Sequence, residues 1–451
     1  MEQKENRLGT MPIKRLVGAM ALPLIISNMV QALYNIADSV FVAQISENAT
    51  KAISLAFPVQ MLMIAVSVGT GVGTSSLMSR KLGEKNFRDA ELVANQGFFL
   101  AAVSYAAFLL FGLFCSEIFF TSTTDNAEII ADGTVYLRIV TACSLGLFLQ
   151  INCERILQGT GNALWSMILQ LIGAATNILL DPVLIFGMFG LPAMGITGAA
   201  LATIIGQLLA AAVSVLVVFV KVKEVRISFR EMKPHGAIIL NIYKVGLPSI
   251  VMQALNSVIL TVVNALVMPI SEVSVWILGV YFKVQSFVFM PVFGLNNGII
   301  PIIAYNYGAR RRKRITETIS FAMTIALTIM AAGTVALCFF PNLVLSMFNP
   351  TAETAEVACR AFRIIASSFV FSGVAIVSSA VFQALGKGFT SLVIASIRQA
   401  IVLLPVLIAL LYLVGANAIW YAYPCAEIVA CILSAIIMVR TYRKQIREIP
   451  A

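Results

Sequence analysis

The sequence predicts an all-α integral membrane protein of twelve transmembrane helices, built as two six-helix lobes related by a parallel internal repeat. Three observations predict it. Hydrophobic residues fill 59% of the 451 positions and charged residues only 12%, with a mean hydropathy of +0.93; a soluble domain carries about twice that charge. Apolar runs of at least the ~20 residues that cross a bilayer as helix recur along the whole chain. A single offset of 225 residues lays the second half of the chain over the first.

Spans 1 to 6 are read at 16–43, 51–78, 92–120, 128–153, 163–187 and 195–220, and spans 7 to 12 at 238–268, 274–305, 316–340, 355–384, 389–414 and 418–440. None shows the alternating period of barrel strands, so all are helices, whose backbone groups are satisfied within each segment. Arg138 lies within span 4, and Arg360 and Arg363 within span 10.

The net charge of +10 marks topology rather than nucleic acid. Lys and Arg cluster before span 1 (Lys4, Arg7, Lys14, Arg15), between spans 2 and 3 (Arg80, Lys81, Lys85, Arg88), between 6 and 7 (Lys221, Lys223, Arg226, Arg230, Lys233), at "RRRKR" 310–314, and after span 12. The alternate loops hold Glu47, Glu117, Asp125, Glu272 and Glu353. Basic loops stay cytoplasmic, so both termini are expected inside a multi-pass cell-membrane protein. The first apolar run is too long for a cleaved signal and contains Asp38. The seven cysteines are scattered inside spans with no CxxC or Cys/His spacing, so neither a disulfide frame nor a zinc site is expected.

The charged segment 221–236 divides the chain into an N-lobe, 1–220, and a C-lobe, 237–451. At the 225 offset Pro23 falls on Pro248, "VQ" at 59–60 on 284–285, Gly69, Gly73 and Gly83 on Gly294, Gly298 and Gly308, and Gln158 and Gly161 on Gln383 and Gly386. An even helix count per lobe makes the repeats parallel, as in transporters that rock two bundles around a central site. Duplication kept for packing alone is the structural alternative.

Asn28, Gln31, Asn35 and Asp38 are spaced 3, 4 and 3, on one face of span 1. In span 5, Gln170, Asn177 and Asp181 repeat the device, with Gly173 and Ala174 beside them. Both acids lie about two turns before the outer end of their helix, so they can share one cavity. An acid in the bilayer centre costs ~2.5–3.5 kcal/mol on insertion scales, which argues that both face inward. The offset puts Val263, Val402 and Val406 where the first half has Asp38, Asn177 and Asp181. Two close carboxylates hinder each other's ionisation, so the pair suits a proton, a cation or a cationic substrate. An interhelical hydrogen-bond knot is the alternative.

In the second half, Gln253, Asn256 and Asn264 lie on span 7, and Gln285, Asn296 and Asn297 on span 8. Lys283 and Glu427 fall at matching depth and are expected to be able to pair; Arg398 is expected to snorkel. Phe287, Phe289, Met290 and Phe293 around Pro291 suit an adaptable apolar wall, and also suit ordinary core.

These residues resemble the multidrug and toxic compound extrusion (MATE) transporters. The likeness covers the whole chain and rests on "NIADSVF", "GNALWSMILQLIGAATNILLDPVLIFG", "GITGAALAT", "SRKLGEKNF" and "AYNYGARRRKR"; "FKVQSFVFMPVFGLNNGIIPIIAYNYGARRRKR" is most similar to the MepA-like bacterial branch. The resemblance implies two lobes around a V-shaped cleft, alternating access, and export of hydrophobic, often cationic compounds driven by entry of H⁺ or Na⁺. It implies an ion-coupling site at Asp38, Asn177 and Asp181, with Thr203 as a further member; some relatives also use an acid in span 7 or span 10, and this sequence departs from them in having none at those positions, with Glu427 the only nearby substitute. Asn28, Gln31, Asn35, Gln253, Asn256, Met290 and Asn296 are the expected substrate-facing positions.

A flippase for an amphiphilic or lipid-linked metabolite is the alternative within transport. An enzyme would need an acid/base or metal set; the single His235 sits in a loop without a ligand partner, and no phosphate-binding Gly loop or nucleotide site occurs. A channel fits the paired repeat with a one-sided acid site less well than alternating access does. No cofactor beyond the coupling H⁺ or Na⁺ is expected. The expected partners are small hydrophobic or cationic substrates and membrane lipids, with no nucleic acid, and the expected working unit is a monomer.

Overall fold

The computed structural model describes residues 6–228, 231–348 and 350–449, apart from the side chains of Asn35, Ile36 and Ser39. Spans 1 to 6 run Ile13–Ala43, Glu47–Gly83, Phe87–Phe114, Ala127–Ala142 with Leu145–Gly159, Ala163–Phe186 and Gly195–Lys221. Spans 7 to 12 run Gly236–Val267, Glu272–Gly308, Arg312–Phe339, Ala352–Ala366 with Phe369–Ala384, Gly388–Leu413 and Ala416–Ile446. Spans 4 and 10, expected to be continuous, are broken by bends of 43° and 44°. Span 3 ends earlier than expected, and a short helix, Ser116–Thr123, follows it.

The repeat is written into the backbone. Ser46 caps span 2 by accepting from Ala49 N, and Ser271, 225 residues on, caps span 8 by accepting from Ser274 N. Left-handed residues recur in register: Lys85 with Arg310, Gly161 with Gly386, and Gly190 with Gly415. A tight turn that demands a positive φ in one lobe demands it again in the other.

The lobes meet through small residues, which let helix backbones approach closely where lipid gives no hydrophobic drive. The contacts obey the same two-fold. A Cβ on Gly83 would lie 1.9 Å from Tyr305 O, and one on Gly308 would lie 2.2 Å from Arg80 O. Gly69 meets Ile250 while Gly294 meets Ile25, and Gly73 meets Gly246 while Gly298 meets Ala21. All these residues lie in the halves of spans 1, 2, 7 and 8 nearest the termini. Among the described residues, the inter-lobe hydrogen bond farthest from that end is Asn28 Nδ2 to Met290 O, 3.4 Å. Beyond it, Leu33 and Val40 of span 1, Phe57 and Leu62 of span 2, and Val258 of span 7 are exposed.

A short helix, Arg7–Thr10, staples the closed end. Asn6 Nδ2 donates to Thr160 O at 3.0 Å and to Glu224 Oε1 at 2.9 Å, and Arg7 donates to Asn162 Oδ1 at 2.8 Å, all on the N-lobe side. Asn306 Nδ2 and Arg311 Nη1 of the C-lobe donate to Leu8 O and Gly9 O at 3.1 and 2.6 Å. The segment between the lobes is held on span 3: Asn95 Oδ1 accepts from Ser228 N at 2.9 Å, and Gln96 Nε2 donates to Lys233 O at 2.7 Å.

Candidate cation and substrate site

Helical spacing fixed which face of each span is polar; packing decides what the faces meet. Asp38 and Asp181 each lie five residues before the last residue of their helices, Ala43 and Phe186. They come within electrostatic reach of each other. Asp38 is half-buried, and Asp181 is fully buried. Asn177, one turn before Asp181, donates from Nδ2 to Thr203 Oγ1 of span 6 at 3.2 Å, and Thr203 donates to Ala199 O at 3.1 Å. Span 6 reaches this close because Gly206 presents no side chain: a Cβ there would stand 2.9 Å from Gly173 O of span 5.

Tyr34, Gln60 and Tyr136 complete the chamber and were not foreseen. Tyr34 shares a hydrogen bond with Thr203 and feels both Asp38 and Asp181. Gln60 Nε2 donates to the Tyr136 hydroxyl at 2.9 Å, and buried Tyr136 also lies within reach of both acids. Tyr34 had a signal in the sequence, since it stands one turn before Asp38 on the same face; Tyr136 had none. Both Asp181 carboxylate oxygens and Asn177 Oδ1 are buried without a hydrogen-bond partner among the described residues. Buried polar oxygens are rarely left so. Three such oxygens beside a second carboxylate form a donor set of the kind hard cations take, and equally one that a proton neutralises.

Farther toward the closed end, the stripe serves to join helices. Gln170 Nε2 donates to Gln31 Oε1 at 3.2 Å, and Ser27 Oγ donates to Gln170 Oε1. Asn28 reaches across to span 8 at Met290. The Asn35 side chain lies outside the described residues. In the C-lobe, Asn296 Nδ2 donates to Ile376 O at 3.0 Å, Asn256 Oδ1 accepts from Gln399 Nε2, and Gln253 is half-buried. Phe287 and Phe293 are exposed and Met290 is half-exposed, as a wall requires, whereas Phe289 is buried against Phe369 at 5.1 Å and belongs to the core.

The expected pairing of Lys283 with Glu427 is corrected by the structure. Glu427 Oε1 accepts from Arg398 Nη1 at 3.2 Å, and Lys283 stands exposed. Arg398 therefore does not snorkel. It lies in a π-helical turn, Ile397–Leu403, which packs on span 12 and aims the guanidinium inward. Tyr281 and Tyr423, with ring centroids 5.9 Å apart, lie beside the pair. Depth read from sequence matched Lys283 to Glu427 and placed Arg398 nearer the cytoplasmic side; the packing of the π-helical turn on span 12 overrides it.

Two repeated helical lobes closed on each other at one end, with an acid-bearing chamber inside one of them, define a multi-span membrane transporter, not an enzyme. The chain belongs to the MatE family, whose model matches residues 23–183 and 248–408. The second match begins and ends 225 residues after the first, the offset read from the sequence. The chain is 26% identical over 426 residues to the multidrug export protein MepA of Staphylococcus haemolyticus, covering 93% of this chain and 91% of that one. It is 24% identical to the FAD transporter of Shewanella oneidensis, covering 93% and 94%. A solved structure described as the outward-facing conformation of a multidrug resistance MATE family transporter superposes with a TM-score of 0.91 at 24% identity, over 98% of this chain and 100% of that chain.

Proposed function

We propose that this protein exports hydrophobic, often cationic compounds by alternating access, driven by entry of H⁺ or Na⁺. The observation that carries the reading is the Asp38–Asp181 pair with its unpartnered buried oxygens, confined to one lobe of a two-lobe transporter. The relatedness to proteins named for multidrug export supports the substrate class. In this reading the terminus-bearing end, where the lobes are stapled, faces the cytoplasm of a cell-membrane protein, and the state described is outward-open. The coupling cation neutralises the acid pair, and no other cofactor or second subunit takes part.

Alternation follows from linkage: a ligand shifts an equilibrium only by its differential affinity for the two states. Cation at the acid pair and substrate between the lobes need only favour opposite states to be exchanged. The deciding experiment reconstitutes the protein in liposomes with a cationic dye and imposes pH and Na⁺ gradients separately. Dye movement that follows one gradient and reverses with it supports the reading. Equal movement with neither gradient excludes coupling.

A second reading, export of an anionic amphiphilic metabolite, is favoured by the exposed Lys283 and by the relative named as an FAD transporter. Competition of dye export by FAD in the same liposomes separates the two.

A further inference from the structure

Glu154 fell one residue beyond the expected end of span 4, yet it lies in the helix Leu145–Gly159 and is buried. Its neighbour Arg155 makes no ion pair with it. Arg155 Nη1 turns to Gln158 Oε1 at 3.0 Å and Asn297 Oδ1 at 3.1 Å, while Glu154 Oε1 accepts only from the neutral Gln150 Nε2 at 2.9 Å. No ion pair holds Glu154 among the described residues. A buried carboxylate without an ion-pair partner is costly unless it is neutral for part of its working life.

Its position gives the cost a purpose. Gln150, Glu154 and Gln158 share one face of span 4 at spacings of four, and Ser166, Gln170, Gly173, Asn177 and Asp181 share one face of span 5. The faces meet. Gln158 Nε2 donates to Ser166 Oγ at 2.9 Å, and Gln150 Nε2 lies 3.6 Å from where a Cβ on Gly173 would stand. Glu154 sits between those two contacts, five residues before Gly159 at the closed end. Asp181 lies two turns beyond Gly173 on the same face of span 5, past Asn177, where that face meets span 6. Among charged groups, Arg155 alone acts on Glu154, with buried Cys153 the adjacent titratable group; none does so from the packed spans 2, 3, 5, 6 or 8 among the described residues.

We propose that Glu154 is the inner proton-holding residue of the transport path. A proton released from the Asp38–Asp181 carboxyls passes along the polar face of span 5, by Asn177, to the seam with span 4, neutralises the Glu154 carboxylate, and is then lost to water at the terminus-bearing face. The proposal deepens the coupling reading above and commits it to H⁺.

The test uses full-length protein in liposomes, with ethidium as the probe and wild type, Glu154→Gln, Glu154→Asp and Asp181→Asn side by side. Three quantities are read: ethidium export driven by a pH gradient across a range of internal pH, ethidium exchange at equal pH, and ethidium Kd in detergent. A positioned proton-transfer group is worth ~100-fold or more. Glu154→Gln should therefore lose gradient-driven export by roughly that factor, while exchange and Kd stay within about twofold. Glu154→Asp should retain export with a displaced internal-pH profile. Wild-type export and an unmoved profile in Glu154→Gln would overturn the proposal. So would parallel loss of exchange and binding, which marks a structural role. If Asp181→Asn still exports on a pH gradient, the coupling reading itself fails. If wild type responds only to Na⁺, the proton role of Glu154 fails while coupling stands.

Discussion

Arg155 Nη1 of span 4 donates to Asn297 Oδ1 of span 8 at 3.1 Å, crossing from one lobe to the other. It reaches there because Gly71 of span 2 has no side chain; a Cβ at that position would stand 2.5 Å from Arg155 Cγ. In the alternating-access reading, parting the lobes at the terminus-bearing end breaks this bond, so it favours the closed state there.

Asn297→Ala should weaken that bias without unfolding the protein, because Gln158 still accepts from Arg155. A hydrogen bond to a charged group is worth ~1.5–3 kcal/mol, so the closed-to-open ratio should fall by roughly tenfold or more. Distances between spin labels at Lys85 and Lys313 report it. Gly308→Leu should do the same more strongly, since its side chain would stand where Arg80 O lies. An unchanged distance distribution in both variants would show that these contacts are incidental.

Asp38→Asn and Asp181→Asn should each abolish export against a gradient while leaving expression near normal. Both remove a charge from one chamber without changing side-chain volume. Coupling between two ligands is worth ~1–3 kcal/mol, or ~5–150-fold, and its loss is read as accumulation ratio in liposomes. Either variant exporting at the wild-type rate takes that residue out of coupling.

Breaking the C-lobe pair should cost stability rather than coupling. Arg398 and Glu427 side chains are 22% and 16% exposed, so Arg398→Met should cost somewhat less than the ~3–5 kcal/mol of a fully buried pair. Joint replacement, Arg398→Met with Glu427→Met, should recover most of it. Melting curves in detergent compare the three proteins; a double variant no better than the single one would mean that packing rather than charge holds this site.

Topology has its own check. In a background without native cysteines, single cysteines at Glu47, Asp125 and Glu353 should react with an impermeant reagent added outside intact cells. One at Arg312 should react only after the cells are opened. Outside labelling at Arg312 would invert the assignment.

Composition and spacing by themselves determined a great deal here. Apolar length set the spans, the basic loops proposed their direction, and the 225 offset laid one lobe over the other; the paired caps, paired left-handed turns and reciprocal glycine contacts at that offset came with the structure. The polar faces of spans 1 and 5 were legible because a helix repeats every 3.6 residues. Periodicity names a face, however, and not its partner. Only the tertiary structure could bring Tyr34 and Tyr136 to the acids, give Glu427 to Arg398 instead of Lys283, and turn Arg155 away from Glu154. The bends in spans 4 and 10 and the π-helical turn at Ile397–Leu403 were equally silent, since they arise from packing between helices distant in the chain. The Arg7–Thr10 helix shows the limit most plainly: four residues carry almost no signal of their own, and they matter because two lobes close around them.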